Sequence, residues 1–61
     1  MERNIAYENG SFWVLKKSKG HYEVCKLNGT HSVKVATIHF QDKPDYALSR
    51  AIAECDRRAA L

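Results

Sequence analysis

The sequence predicts an α+β fold: an antiparallel meander of three or four strands, followed by one C-terminal helix packed on one face of the sheet. Three observations carry this. The dipeptide Asn-Gly occurs twice, at Asn9-Gly10 and Asn28-Gly29, each time between runs rich in aromatic and β-branched residues. That is a strong hairpin signal, because both central residues of a type I′ turn need positive φ. Ser18-Lys19-Gly20 supplies a third turn between two such runs. After Phe40 the alternation gives way to the three-to-four spacing of a helical stripe.

The elements follow in order, with strands over about residues 4–8, 11–17, 21–27 and 31–39, a helix over about 43–59, and one domain spanning 1–61. A two-residue Asn9-Gly10 loop sets Tyr7 opposite Phe12 and Ile5 opposite Val14, with Ala6 and Trp13 on the reverse side. A three-residue loop ending on a left-handed Gly20 sets Val14 opposite Val24. The alternative two-residue Lys19-Gly20 loop would pair Leu15 with Val24 and turn Trp13 inward, in conflict with both Asn-Gly hairpins. Around Asn28-Gly29, Leu27 pairs with Thr30, Val24 with Val33, Tyr22 with Val35, Cys25 with Ser32, and Glu23 forms an ion pair with Lys34.

Ile5, Tyr7, Phe12, Val14, Tyr22, Val24, Val33 and Val35 then share one face. Beyond Val35 the apolar parity shifts, which predicts a bulge or strand end near Thr37. In the helix, Asp42 is expected to cap, Pro44 fits the first turn and Asp45 complements the positive end of the dipole. Leu48, Ala51, Ile52, Cys55 and Ala59 form the stripe that covers the apolar sheet face, and Arg57 and Arg58 suit the negative end.

A chain of 61 residues buries only about 60% of the surface its unfolded form exposes, so its core is marginal and a homodimer or a partner would support it. No apolar run approaches the about 20 residues a membrane crossing needs, and no secretory leader is evident, so a cytoplasmic location is expected. Two cysteines, Cys25 and Cys55, are too few and too far apart for a disulfide framework and read as buried or half-buried free thiols, with a single bridge between them still geometrically conceivable. The net charge of +3 favours acidic partners mildly.

Chemistry finds little purchase. His21, His31, His39, Cys25 and Cys55 are metal-ligand types but form no close chelating pair in sequence, and residues four apart on a strand lie about 13 Å apart. No cofactor and no metal is expected. No nucleophile elbow or glycine-rich phosphate cradle is present, so the chain reads as a binding module and not an enzyme. The uncovered sheet face carries Trp13, Leu15, Lys17, His21, Glu23, Cys25, Ser32 and Lys34. Of the basic residues Lys16, Lys17, Lys19, Lys26 and Lys34, the plain account is a solvated surface that discourages strand pairing with other chains. The functional account is phosphate neutralisation beside a strand face. Trp13, Leu15, Lys17, Lys19, His21 and Lys34 are the candidate binding residues.

The run Val14-Leu-Lys-Lys-Ser-Lys-Gly-His-Tyr22, the second hairpin, Ala36-Thr-Ile-His-Phe40 and the alanine-rich segment Ala47 to Ala59 together resemble the AP2-type DNA-binding domain. The integrase amino-terminal arm-binding domain is similar in architecture. The resemblance covers about residues 11 to 59. It implies a sheet that lays its uncovered face in the major groove of duplex DNA, with Lys17, Lys19 and Lys34 at basic or contact positions. Phe12, Leu15, Cys25 and Leu27 stand at other contact positions. No arginine lies in the sheet region, and arginine's bidentate fork is the commonest reader of guanine. The same apolar residues suit a protein target, with Trp13 and Leu15 as anchor and Lys17, Glu23 and Lys34 as a polar rim. A small inhibitor or adaptor of the phage-like type, acting by steric occlusion, is therefore the alternative to DNA binding.

Overall fold

The computed structural model describes residues 4–61. Four strands, β1 (Ile5–Asn9), β2 (Phe12–Ser18), β3 (His21–Asn28) and β4 (His31–His39), form an antiparallel sheet in the order β1-β2-β3-β4, and a single helix, α1 (Pro44–Ala59), follows. The molecule is a slab of 35 × 29 × 14 Å, a sheet with one helix on one side. This is the α+β meander the sequence predicts.

Both Asn-Gly hairpins close differently from expectation. Asn9 pairs with Phe12 and Asn28 with His31, so the two-residue loops are Gly10-Ser11 and Gly29-Thr30. Gly10 has φ of 62° and Gly29 of 67°, and no described residue other than glycine has positive φ. A positive φ at the first central position alone is the type II′ pattern, which asks nothing unusual of Asn9 or Asn28. Each register is thereby displaced by two residues. Because side chains alternate with period two, a displacement of two leaves every face assignment next to the loop intact.

The β2–β3 hairpin matches the expected register, with Val14 opposite Val24 and Gly20 left-handed at φ 71°. The irregularity at Lys17, between the Lys16–Tyr22 and Ser18–His21 pairs, is the bulge such a loop brings. Gly20 also sits against the chain beyond β4. Its carbonyl accepts from the Phe40 N–H at 2.8 Å, and a Cβ there would run into the Phe40 carbonyl oxygen.

Two further bulges shift parity. Between Ile5 and Tyr7 the register slips, so Tyr7 pairs with Val14 while Ile5 pairs with Leu15. Ile5, expected in the core, therefore lies on the uncovered face and is 39% exposed. In β4 the slip falls between the Lys34–Cys25 and Ala36–Val24 pairs, nearer the chain start than Thr37. Val35 and Ala36 both pack toward the core as a result. Val33 stays on the helix side but pairs with Lys26 beyond the helix's reach, and it is exposed.

The core consists of Val14, Tyr22 and Val24 from the sheet and Ala47, Ala51 and Cys55 from the helix, with Tyr7, Phe12, Val35, Ala36, Ile38 and Leu48 around them. Val14 and Val24 are wholly excluded from solvent, which is worth about 1.5–3 kcal/mol for each. Ala47, Ala51 and Cys55 recur every four residues, so the helix presents its smallest side chains and seats closely on the two valines. Ala47 was not part of the predicted stripe, and Ile52 is only half-buried. Asp42 does not cap. Pro44 opens the helix, the N-cap position falls on Lys43, and no side-chain capping hydrogen bond forms. Asp45 lies in the first turn as expected. Arg57 and Arg58 do more than face the dipole, since both bind Glu54, at 2.7 and 2.6 Å.

Asp56 ties the helix to the edge strand. It accepts hydrogen bonds from the Tyr7 hydroxyl at 2.6 Å and the Asn9 side-chain amide at 2.8 Å. These donors hold the Asp56 carboxyl below the usual aspartate range, and the same bond raises the Tyr7 phenol. No helix among the described residues is long and apolar enough to cross a membrane.

Candidate functional site

The register arranges the uncovered face in rows running across the strands. Glu8, Trp13, Cys25 and Lys34 form one row; Ile5, Leu15, Glu23 and Thr37 form the next; His21 and His39 close the face at one end, and Leu27 with Ser32 at the other. None of these residues belongs to the helix-side core. Trp13 and Leu15 are half-buried by their neighbours, and Leu27 is 49% exposed. The apolar centre thus comprises Trp13, Leu15, Ile5 and Cys25, with Leu27 beyond.

Cys25 is only 5% exposed although no helix covers it. It lies directly opposite Trp13 on one side and Lys34 on the other. Burial pushes its thiol pKa up and Glu23 adds to this, while Lys17 and Lys34 pull it down. A thiol held protonated in this way is a poor nucleophile. Cys55 lies in the core on the other side of the sheet and is also free, so the two thiols cannot bridge.

The expected ion pair is present: Lys34 Nζ stands 3.8 Å from Glu23 Oε2. The partners are diagonal and not directly opposite, because Glu23 faces Thr37 and Lys34 faces Cys25. Of the six candidate residues, Trp13, Leu15 and Lys34 stand in the rows of this face and His21 at its end, while Lys17 sits at the β2 bulge without a cross-strand partner. Lys19 does not join them. It occupies the turn between β2 and β3, beside the exposed Lys16 and Lys17. Lys26 lies on the helix side with its Nζ 5.8 Å from the Phe12 ring centroid.

Sequence reasoning missed Ile5, Glu8, Leu27, Thr37 and His39 as members of this face. Ile5 arrives there through a bulge that the apolar run Ile5-Ala-Tyr7 does not mark, His39 through the β4 bulge that the parity shift beyond Val35 signals, and Glu8 follows from its pairing with Trp13. A separate recess of 460 Å³ lies where β4 runs into α1, lined by His39, Phe40, Gln41, Asp42, Lys43 and Tyr46. Phe40 and Tyr46 meet edge to face there at 5.0 Å. It holds none of the six candidate residues. No family model matches this chain, and comparison with curated proteins and with solved structures returned no match.

Proposed function

We propose that this chain is a non-enzymatic binding module that docks a protein partner through its uncovered sheet face and acts by occlusion or as an adaptor. One observation carries the choice: Glu8 and Glu23 stand in the rows of Trp13 and Leu15, and the neighbouring Lys34 is tied to Glu23. A duplex carries one negative charge per about 1.7 Å of its axis, so two carboxylates within the contact surface oppose it. An apolar centre with a Trp anchor and a rim of mixed charge is the composition of a protein interface.

Duplex DNA is the second reading, favoured by Lys16, Lys17 and Lys19 at the end of the β2–β3 hairpin and by the net charge of +3. It is also what the AP2-type resemblance implies. In it Lys17, Lys19 and Lys34 neutralise phosphates, His21 assists and Trp13 makes apolar contact.

Fluorescence polarisation with a labelled random duplex separates the two. The docking reading expects weak binding at about 50 mM salt that Trp13→Ala leaves unchanged. The DNA reading expects binding that weakens by about tenfold or more on raising salt to about 200 mM and is lost in Trp13→Ala. Tight, Trp13-dependent duplex binding would overturn the protein assignment.

A further inference from the structure

His21 and His39 are separated by 17 intervening residues, yet the bulge in β4 and the displaced β3–β4 loop make them direct cross-strand partners. Their rings lie on the same face, with centroids 4.7 Å apart and planes 26° apart. The backbone beneath them is fixed from two sides. Gly20, immediately before His21, accepts from the N–H of Phe40, immediately after His39, and the two segments pack too closely for a Cβ at Gly20.

The geometry points to a two-imidazole site at His21 and His39 for a divalent transition metal of the zinc, nickel or copper class. A metal–nitrogen bond is about 2.0–2.1 Å and the ring centroid lies about 1.1 Å further on, so two imidazoles on one ion have centroids about 4.5 Å apart at a right angle and about 5.1 Å at the tetrahedral angle. The observed 4.7 Å falls between these limits. The rings stack face to face, so chelation requires each to turn about its soft χ2 torsion, a motion that leaves the centroid separation nearly unchanged. Imidazole is a borderline donor that suits zinc, nickel and copper, whereas calcium and magnesium prefer oxygen.

No group of three or more metal-binding side chains occurs among the described residues, so the protein supplies two ligands and water fills the remaining positions. His39 is exposed and His21 half-buried, which leaves the site open to solvent. The two thiols are buried and do not compete. The assignment is independent of which macromolecule the sheet face docks.

Isothermal titration of the full chain with zinc chloride, repeated with nickel chloride, tests it. His21→Ala, His39→Ala and, as control, His31→Ala at the opposite end of β4 are titrated alongside, each checked for fold by circular dichroism. One metal per chain is expected for the wild type and for His31→Ala, with affinity reduced by at least about tenfold in each of the other two variants. Nickel should also broaden the amide resonances around residues 20–22 and 38–40 selectively. Absence of binding, equal loss in His31→Ala, retention in either single variant, or one metal per two chains would each overturn the intrachain site.

Discussion

Replacing Gly20 by alanine should damage this fold more than the same change at the other two turn glycines. All three have positive φ, at 62°, 71° and 67°, which costs an L-residue about 1–2 kcal/mol. At Gly10 and Gly29 an added Cβ meets nothing within 4 Å, so that cost stands alone. At Gly20 the Cβ meets the Phe40 carbonyl oxygen and comes within 2.9 Å of the Gln41 Cα, both backbone atoms that cannot swing aside. Relief requires moving the segment that leads into α1 and loosening the Phe40–Gly20 hydrogen bond, a further loss of about 0.5–1.5 kcal/mol with any residual strain on top. The sum is about 2–4 kcal/mol. For 61 residues the whole stability is about 3–9 kcal/mol, so Gly20→Ala should remove a large part of it. In urea, with a slope near 1 kcal/mol per molar, its midpoint should fall by about 2–4 M, against about 1–2 M for Gly10→Ala or Gly29→Ala. Three midpoints that agree within about 0.5 M would refute the close approach at Gly20.

Trp13→Ala should leave the fold intact and cost less than the about 3–5 kcal/mol typical of a fully buried Trp, read from its urea midpoint; unfolding would place Trp13 in the core. The same variant should speed the reaction of Cys25 with a thiol reagent while Cys55 stays protected, measured by mass spectrometry of labelled peptides. Equal protection of both thiols would mean that Trp13 does not cover Cys25. Asp56, whose pKa is lowered by the Tyr7 and Asn9 hydrogen bonds, favours folding in its ionised form. Its contribution is therefore complete above the ordinary aspartate range and is lost as pH falls through the depressed folded value. The stability difference between wild type and Asp56→Asn should accordingly shrink as the pH of the denaturation series is lowered from about 5 to about 2, and a constant difference would exclude that pairing as its source.

Much of this fold was legible because local rules agreed. Gly20 in Ser18-Lys19-Gly20 gave the β2–β3 register, and with it the inward Val14 and the outward Trp13. The two Asn-Gly turns misled in position but not in face. Asn-Gly-Ser and Asn-Gly-Thr satisfy a type I′ turn on Asn-Gly and a type II′ turn on Gly-Ser or Gly-Thr equally well, and the two choices differ by an even number of residues. The β4 bulge expected near Thr37 is present close to Val35, but the β1 bulge was not legible, because Ile5 and Tyr7 are both apolar and nothing in the sequence says which faces the helix. Asp42 failed for a different reason: Pro44 sets the helix start, and that puts the N-cap on Lys43.

The candidate site was legible to the same degree. Trp13, Leu15 and Lys34 share a face through the well-determined β2–β3 register and the sheet's alternation, whereas Lys17 falls on the β2 bulge, outside the paired rows. Lys19 is grouped with them by its charge and by the AP2-type resemblance, and the turn carries it away. The apposition of His21 and His39 depends on a one-residue bulge, which the parity shift beyond Val35 signals, plus a two-residue loop displacement, which the sequence does not disclose. Glu8 and Glu23 matter through their places in the rows, and those places turn a basic chain into one with a nearly balanced docking face.

The most direct test of that face is site-specific photo-cross-linking in an extract of the source organism. A photoreactive residue is placed at Leu15 or, as control on the helix, at Arg50, each in the wild-type and Trp13→Ala backgrounds. The account predicts one protein cross-linked from Leu15 in near-stoichiometric yield, absent from Arg50, lost with Trp13→Ala and competed by unlabelled chain. Nuclease-sensitive cross-links to nucleic acid from Leu15, or equal protein yields from Leu15 and Arg50, would contradict it.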